Sequence, residues 1–141
     1  MLYLSVNSAS IATVVACSWI MTKFDISKIL KHEWLAPNIV RVVATEGVEL
    51  TEAMALKAYA MVSSEVDEPF AVINDRVNEY ENTLEVLAAL NDYPDIIFHA
   101  IVIHHDADRP VVETQQMLNP ALKIFDSMEA AVAAAHAALD S

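Results

Sequence analysis

The 141-residue chain carries twenty Asp and Glu against eight Lys and Arg, a formal charge of −12, and 55% of it is hydrophobic. That is enough apolar material for the core of one domain, while the acidic balance and the lack of any basic run argue against binding nucleic acid or anionic lipid. The single glycine, Gly47, excludes the glycine-rich loops that cradle phosphates, and the single cysteine, Cys17, excludes an internal disulfide or a cysteine-built zinc site.

Residues 1–22 form an apolar segment without Lys or Arg, so it lacks the basic start of a secretory signal. Asn7, Ser8 and Ser10 interrupt it, and the clean run 11–21 falls short of the ~20 residues that span a bilayer. Two readings follow: extra strands of the domain, or an extension ahead of a start at Met21. Cys17, among Val15, Ala16 and Trp19, reads as a packed thiol. Residues 23–141 are expected to form a single domain, in which Trp34 is a packed anchor or an interface aromatic.

From residue 38 onward, strand and helix signals alternate. Residues 39–45 are β-branched and strand-like; Gly47 turns the chain, and Thr51 can cap a helix opening on Glu52. Leu50, Met54, Ala58, Met61 and Val62 recur at helical spacing and predict its buried face. A second strand is predicted over 70–73. Asn82 with Glu85 resembles a capping box for a helix running to Asn91, stopped by Tyr93 and Pro94.

Residues 96–104 predict a third strand, apolar on both faces except at His99, as in a central parallel strand. Pro110 suits the first turn of a helix ending near Leu118. Residues 122–125 make a fourth short strand, and Asp126 with Glu129 opens an Ala-rich helix over 127–139, on which His136 faces solvent. This β-α-β-α-β-α-β-α order predicts an α/β fold with a mainly parallel sheet and helices packed on it.

The chemistry-bearing residues concentrate after the second strand: Asn74, Asp75, Arg76, Asn78 and Tyr80. In open α/β sheets ligands gather outside the carboxyl ends of the strands, so this cluster is the expected ligand- or partner-binding address. Asp75 and Arg76 are expected to form a local ion pair that organises the loop. His99, His104, His105 and Asp106 supply the right ligand types for a metal, but adjacent strand residues point to opposite faces and no i, i+4 histidine pair is present. Asp106 or Asp108 is instead expected to satisfy amides of the next helix. No G-x-S-x-G elbow and no activated cysteine is found.

The stretch from Ile73 to Tyr80 resembles the second-strand motif of small bacterial SpoIIAA-like proteins of the STAS (STAS/SEC14-like) group, an apolar strand followed by Asn-Arg-x-Asn-x-Tyr-Ser. Arg76, Asn78 and Tyr80 match it, whereas Asp75 stands where Asn is commoner and Glu81 where Ser is commoner. The segments 46–51 and 124–131 agree in order, and the resemblance covers about residues 24 to 139. It implies a STAS-like sheet with helices on one side and a non-enzymatic role. The phosphorylated Ser of the anti-sigma-factor-antagonist branch, in an Asp-Ser-x-Gly-like motif, has no counterpart after the second strand; Thr83 is merely the nearest hydroxyl.

Together these readings predict a cytoplasmic, homodimeric, non-catalytic STAS-like regulatory domain without a cofactor, contacting a protein partner or small ligand through Asn74, Asp75, Arg76, Asn78 and Tyr80. A carrier of small apolar molecules or lipid, and a metal-dependent hydrolase at His99, His104 and His105, are the alternatives. No stable membrane insertion is expected.

Overall fold

The computed structural model describes residues 25–140, so the expectations for residues 1–22 and for Cys17 lie outside the described residues. Its centre is a five-stranded mixed sheet in the order β1-β2-β4-β6-β7. The strands are β1 (Leu30–Ala36), β2 (Ile39–Ala44), β4 (Phe70–Arg76), β6 (Ile96–Ile103) and β7 (Leu122–Phe125). β1 and β2 form an antiparallel hairpin, and all other neighbours in the sheet run parallel. Two short strands, β3 (Glu49–Leu50) and β5 (Glu81–Asn82), pair in parallel as a separate ribbon. The helices are α1 (Glu52–Ser63), α2 (Leu84–Asn91), α3 (Arg109–Leu118) and α4 (Met128–Leu139).

The alternation read from sequence is therefore present, with additions. β1 precedes the first predicted strand: it is a local hairpin partner of β2 across Pro37 and Asn38, and its Lys31, His32 and Glu33 interrupt the apolar run that marks the other strands. Gly47 turns with φ +79, a left-handed conformation that a side chain disfavours. Thr51 caps α1, its Oγ1 accepting from the Met54 N–H at 3.3 Å. The buried face of α1 is Ala55, Ala58, Tyr59 and Val62, with Met54 and Met61 at its margins; Leu50 is buried in β3 instead.

Two expected caps differ. Asn82 belongs to β5, and the residue before α2 is Thr83, whose carbonyl accepts from Val86. Asp126 turns aside to Arg109, and Ser127 caps α4 by accepting from the Ala130 N–H at 3.1 Å.

Strand alternation gives the sheet two apolar faces, and both are covered. Val40, Val42, Phe70 and Val72 meet α1 and Val86 of α2, while Ile101, Ile103 and Leu122 meet Val112 of α3 on the same side. Ile39, Ala71, Ile73, Ala100 and Val102 face the other way, onto α4. The resemblance implied helices on one side only; three lie on one face and the fourth on the other. The central strands β4 and β6 are apolar on both faces, so leaving either bare would expose a large contiguous patch. Ala131 and Ala135, one turn apart, let α4 lie close against Ala71 and Ala100. No helix among the described residues is long and apolar enough to cross a membrane.

Candidate functional site

β4 is three residues longer than the apolar run suggested, so Asn74, Asp75 and Arg76 sit within a hydrogen-bonded strand rather than beyond its end. Consecutive strand residues point to opposite faces, and this separates the predicted cluster. Asn74 faces inward: its Nδ2 lies 3.2 Å from His99 Nε2, and its side chain also engages the phenol of Tyr59. Both partners are buried. Desolvation raises the Tyr59 phenol well above its ordinary value and lowers His99 to about 4, so this imidazole stays neutral.

Asp75 points to the α4 side. One carboxylate oxygen accepts from Arg41 Nε at 2.9 Å and the other from His104 Nε2 at 2.5 Å, while Arg41 continues to Glu33 at 3.0 Å. Glu33, Arg41, Asp75 and His104 thus link β1, β2, β4 and the turn after β6.

Arg76 points to the opposite face, so the expected Asp75–Arg76 ion pair does not form. Its guanidinium, 3% exposed, packs on the Tyr80 ring at 4.5 Å and donates from Nη2 to the Tyr80 carbonyl at 3.3 Å. Asp108 lies 3.6 Å from Nε and Glu79 3.8 Å from Nη2, while Nε and Nη1 complete no hydrogen bond. Asp108 makes no side-chain cap of α3; it is the counter-charge of Arg76. Its hydrogen bond to Glu79 holds the Glu79 carboxyl above the usual carboxylate range, since two acids that share a site favour one proton between them. Asn78 donates to the carbonyl of Ala44 at 3.0 Å, tying the loop after β4 to the end of β2.

Of the five predicted residues, Arg76 and Tyr80 line one cleft, at the carboxyl ends of the strands as expected. Gly47, Val48, Glu79, Glu81 and Val111 complete this part, which has a volume of about 360 Å³. Tyr80, Glu81 and Val111 are shared with a second lobe of about 380 Å³ between α2 and α3, bounded by Glu49, Leu84, Leu87, Thr114, Gln115 and Leu118. Leu84, Val111 and Leu118 reach it while 67%, 48% and 50% exposed. Among the described residues, the only basic side chain lining either lobe is Arg76, already faced by two carboxyls. Arg76 and Asp108 therefore fix Tyr80 as the wall of a cleft whose open surface is apolar and acidic.

The sequence reading missed Glu49, Glu79, Leu84, Val111 and Leu118. One signal was available: Val111, Thr114, Gln115 and Leu118 recur at i, i+3, i+4 and i+7, a helical face distinct from buried Val112.

The histidines do not converge. His99 lies midway along β6 on the α1 side and His104 just past its end on the α4 side, about 16 Å apart along the strand; His105 is exposed. Among the described residues no group of three or more His, Cys, Asp or Glu is placed to hold a metal ion. Comparison with protein-family models, with curated proteins and with solved structures gives no match to this chain.

Proposed function

We propose that this chain is a STAS-like, non-catalytic binding domain that engages a protein partner in the cleft between α2, α3 and the β3–β5 ribbon. One observation carries the reading: three large apolar side chains, Leu84, Val111 and Leu118, remain exposed and converge on one cleft. Single exposed apolar residues are ordinary, but a convergent group beside a groove marks an interaction surface. The buried Arg76–Tyr80–Asp108 assembly supports it, since it gives that surface a rigid floor. The cleft is open and edged with carboxyls, which suits a partner's surface better than an enclosed apolar molecule.

A photo-crosslinking residue placed at Thr114, in the cleft, and at Glu129, on α4, tests the proposal in cells. A discrete adduct from position 114 that disappears with Leu118→Asp, and is absent from position 129, is the expected result. Adducts that are equal at both positions, or indifferent to Leu118→Asp, would move the binding surface elsewhere.

A further inference from the structure

The rim of this cleft carries an unusual arrangement of charge. In the β3–β5 ribbon Glu49 stands directly opposite Glu81. Like charges in register across a strand pair repel, and both carboxylates are exposed. Glu79 adds a third acid to the same rim, and the one base among the described residues that line the cleft, Arg76, is buried and already matched. The cleft thus presents a concentrated negative edge beside an apolar stripe.

The stripe has a helical geometry. Val111, Thr114, Gln115 and Leu118 form one face of α3, while Leu84 and Leu87 form the facing side of α2. Two helices and a ribbon leave a trough beside α3, whose ten residues extend about 15 Å, the length of three helical turns. Helix-in-groove recognition uses apolar anchors at i, i+3, i+4 and i+7, which such a trough accommodates.

We infer that the occupant is a basic amphipathic helix of a partner protein, its apolar side on Leu84, Val111 and Leu118 and its Lys or Arg side chains against Glu49 and Glu81. This rests on the proposed binding function and names the partner chemistry of the same cleft. Charge complementarity selects it over the rivals. A second copy would bring Glu49, Glu79 and Glu81 against other carboxylates in a chain of net charge −12, and residues 1–22 of this chain carry no base to answer the rim. The facing pair also gives a partner's cation a repulsion to relieve on docking.

The test uses the full chain and fluorescent peptides of about 14 residues, roughly four helical turns. One peptide places Leu at i, i+3, i+4 and i+7 with Lys elsewhere. A second has the same composition in scrambled order, and a third replaces Lys by Gln. Anisotropy titrations are run from about 50 mM to about 500 mM salt, a range that screens exposed charges.

The amphipathic Lys peptide is expected to bind tightest and to weaken with salt. Leu118→Asp or Leu84→Asp should weaken it at least about tenfold, as expected for losing one buried leucine contact. Glu81→Lys should also weaken it while leaving thermal stability unchanged or raised, because it turns the Glu49 pairing from repulsive to attractive. Glu129→Lys, on α4, should leave binding within about twofold, since a distant surface charge is screened.

Three results overturn the inference. If the Gln peptide binds as well and still depends on Leu118, the cleft is a docking site but its occupant is not basic. Binding that is equal for the scrambled peptide, or equally sensitive to Glu129→Lys, reduces the effect to net charge. If no peptide responds to Leu118→Asp or Leu84→Asp in chains with unchanged melting curves, this cleft is not a helix-docking site at all.

Discussion

Acidifying the protein from about pH 7 to about pH 4 should cost it stability through His99. The imidazole is buried beneath α1 with Asn74 at its Nε2 and no partner at Nδ1, and burial lowers its pKa from 6.5 to about 4. The unfolded chain takes up this proton as pH falls through 6.5, whereas the folded chain resists until about 4. The contribution is thus fully present above 6.5 and is lost progressively down to about 4. At about 1.4 kcal/mol per pH unit the loss comes to about 3 kcal/mol.

Urea unfolding at steps of pH measures this loss. With a slope of about 1–3 kcal/mol per molar urea, the midpoint should fall by roughly 1 to 3 M across the window. Other groups titrate in this range, so the comparison is made against His99→Gln, whose amide can still accept from Asn74 but cannot ionise. The stability difference between the two chains should change by about 3 kcal/mol over the window. Parallel curves for the two proteins, or an NMR titration placing His99 near 6.5, would refute the reasoning.

The buried pair at the cleft floor makes a second prediction: Arg76→Met should cost about 3–5 kcal/mol in urea unfolding by leaving Asp108 buried without a counter-charge. Adding Asp108→Leu should recover a substantial part of that loss, and a double-mutant cycle that is strictly additive would show the two residues uncoupled. On the other face, Asp75→Asn removes a carboxylate bonded to both Arg41 and His104 and should cost about 2 kcal/mol, with His104→Gln costing less because Asp75 keeps Arg41; equal losses would refute that ordering.

Much of the fold was legible because its signals are local. Thr51 before Glu52, Gly47 at a turn, Pro110 in the first turn of α3 and the apolar runs of β2, β6 and β7 each report on a few neighbouring residues. The structure places each of these where the sequence suggested. β1 lacks an apolar run because Lys31, His32 and Glu33 occupy it, and the β3–β5 ribbon joins two-residue segments distant in sequence, too short to show a period.

The candidate site was half legible for a related reason. The sequence points to the neighbourhood of Arg76 and Tyr80, but its polar residues read as the end of a strand that in fact continues through Arg76. Asn74, Asp75 and Arg76 are polar because each has a polar partner, His99, Arg41 and Asp108 respectively, that the sequence holds 25 to 34 residues away in either direction. The apolar lip of the cleft went unnoticed because an exposed leucine and a buried one read alike in a hydropathy pattern.

The opposed orientation of Asp75 and Arg76 has a consequence for how β4 finds its place between β2 and β6. A strand slipped by one residue inverts all of its side chains at once. With Val72 and Ile73 both apolar, much of β4 would tolerate that inversion, since the sheet is covered on either side. Its last two residues would not: a slip one way moves the Asp75 carboxylate into the place of Arg76, facing Asp108, and a slip the other way moves the Arg76 guanidinium into the place of Asp75, facing Arg41. Either misplacement brings like charges together. This adjacent acid and base therefore act as a registration key, discarding off-by-one pairings that the hydrophobic residues of the strand leave nearly degenerate.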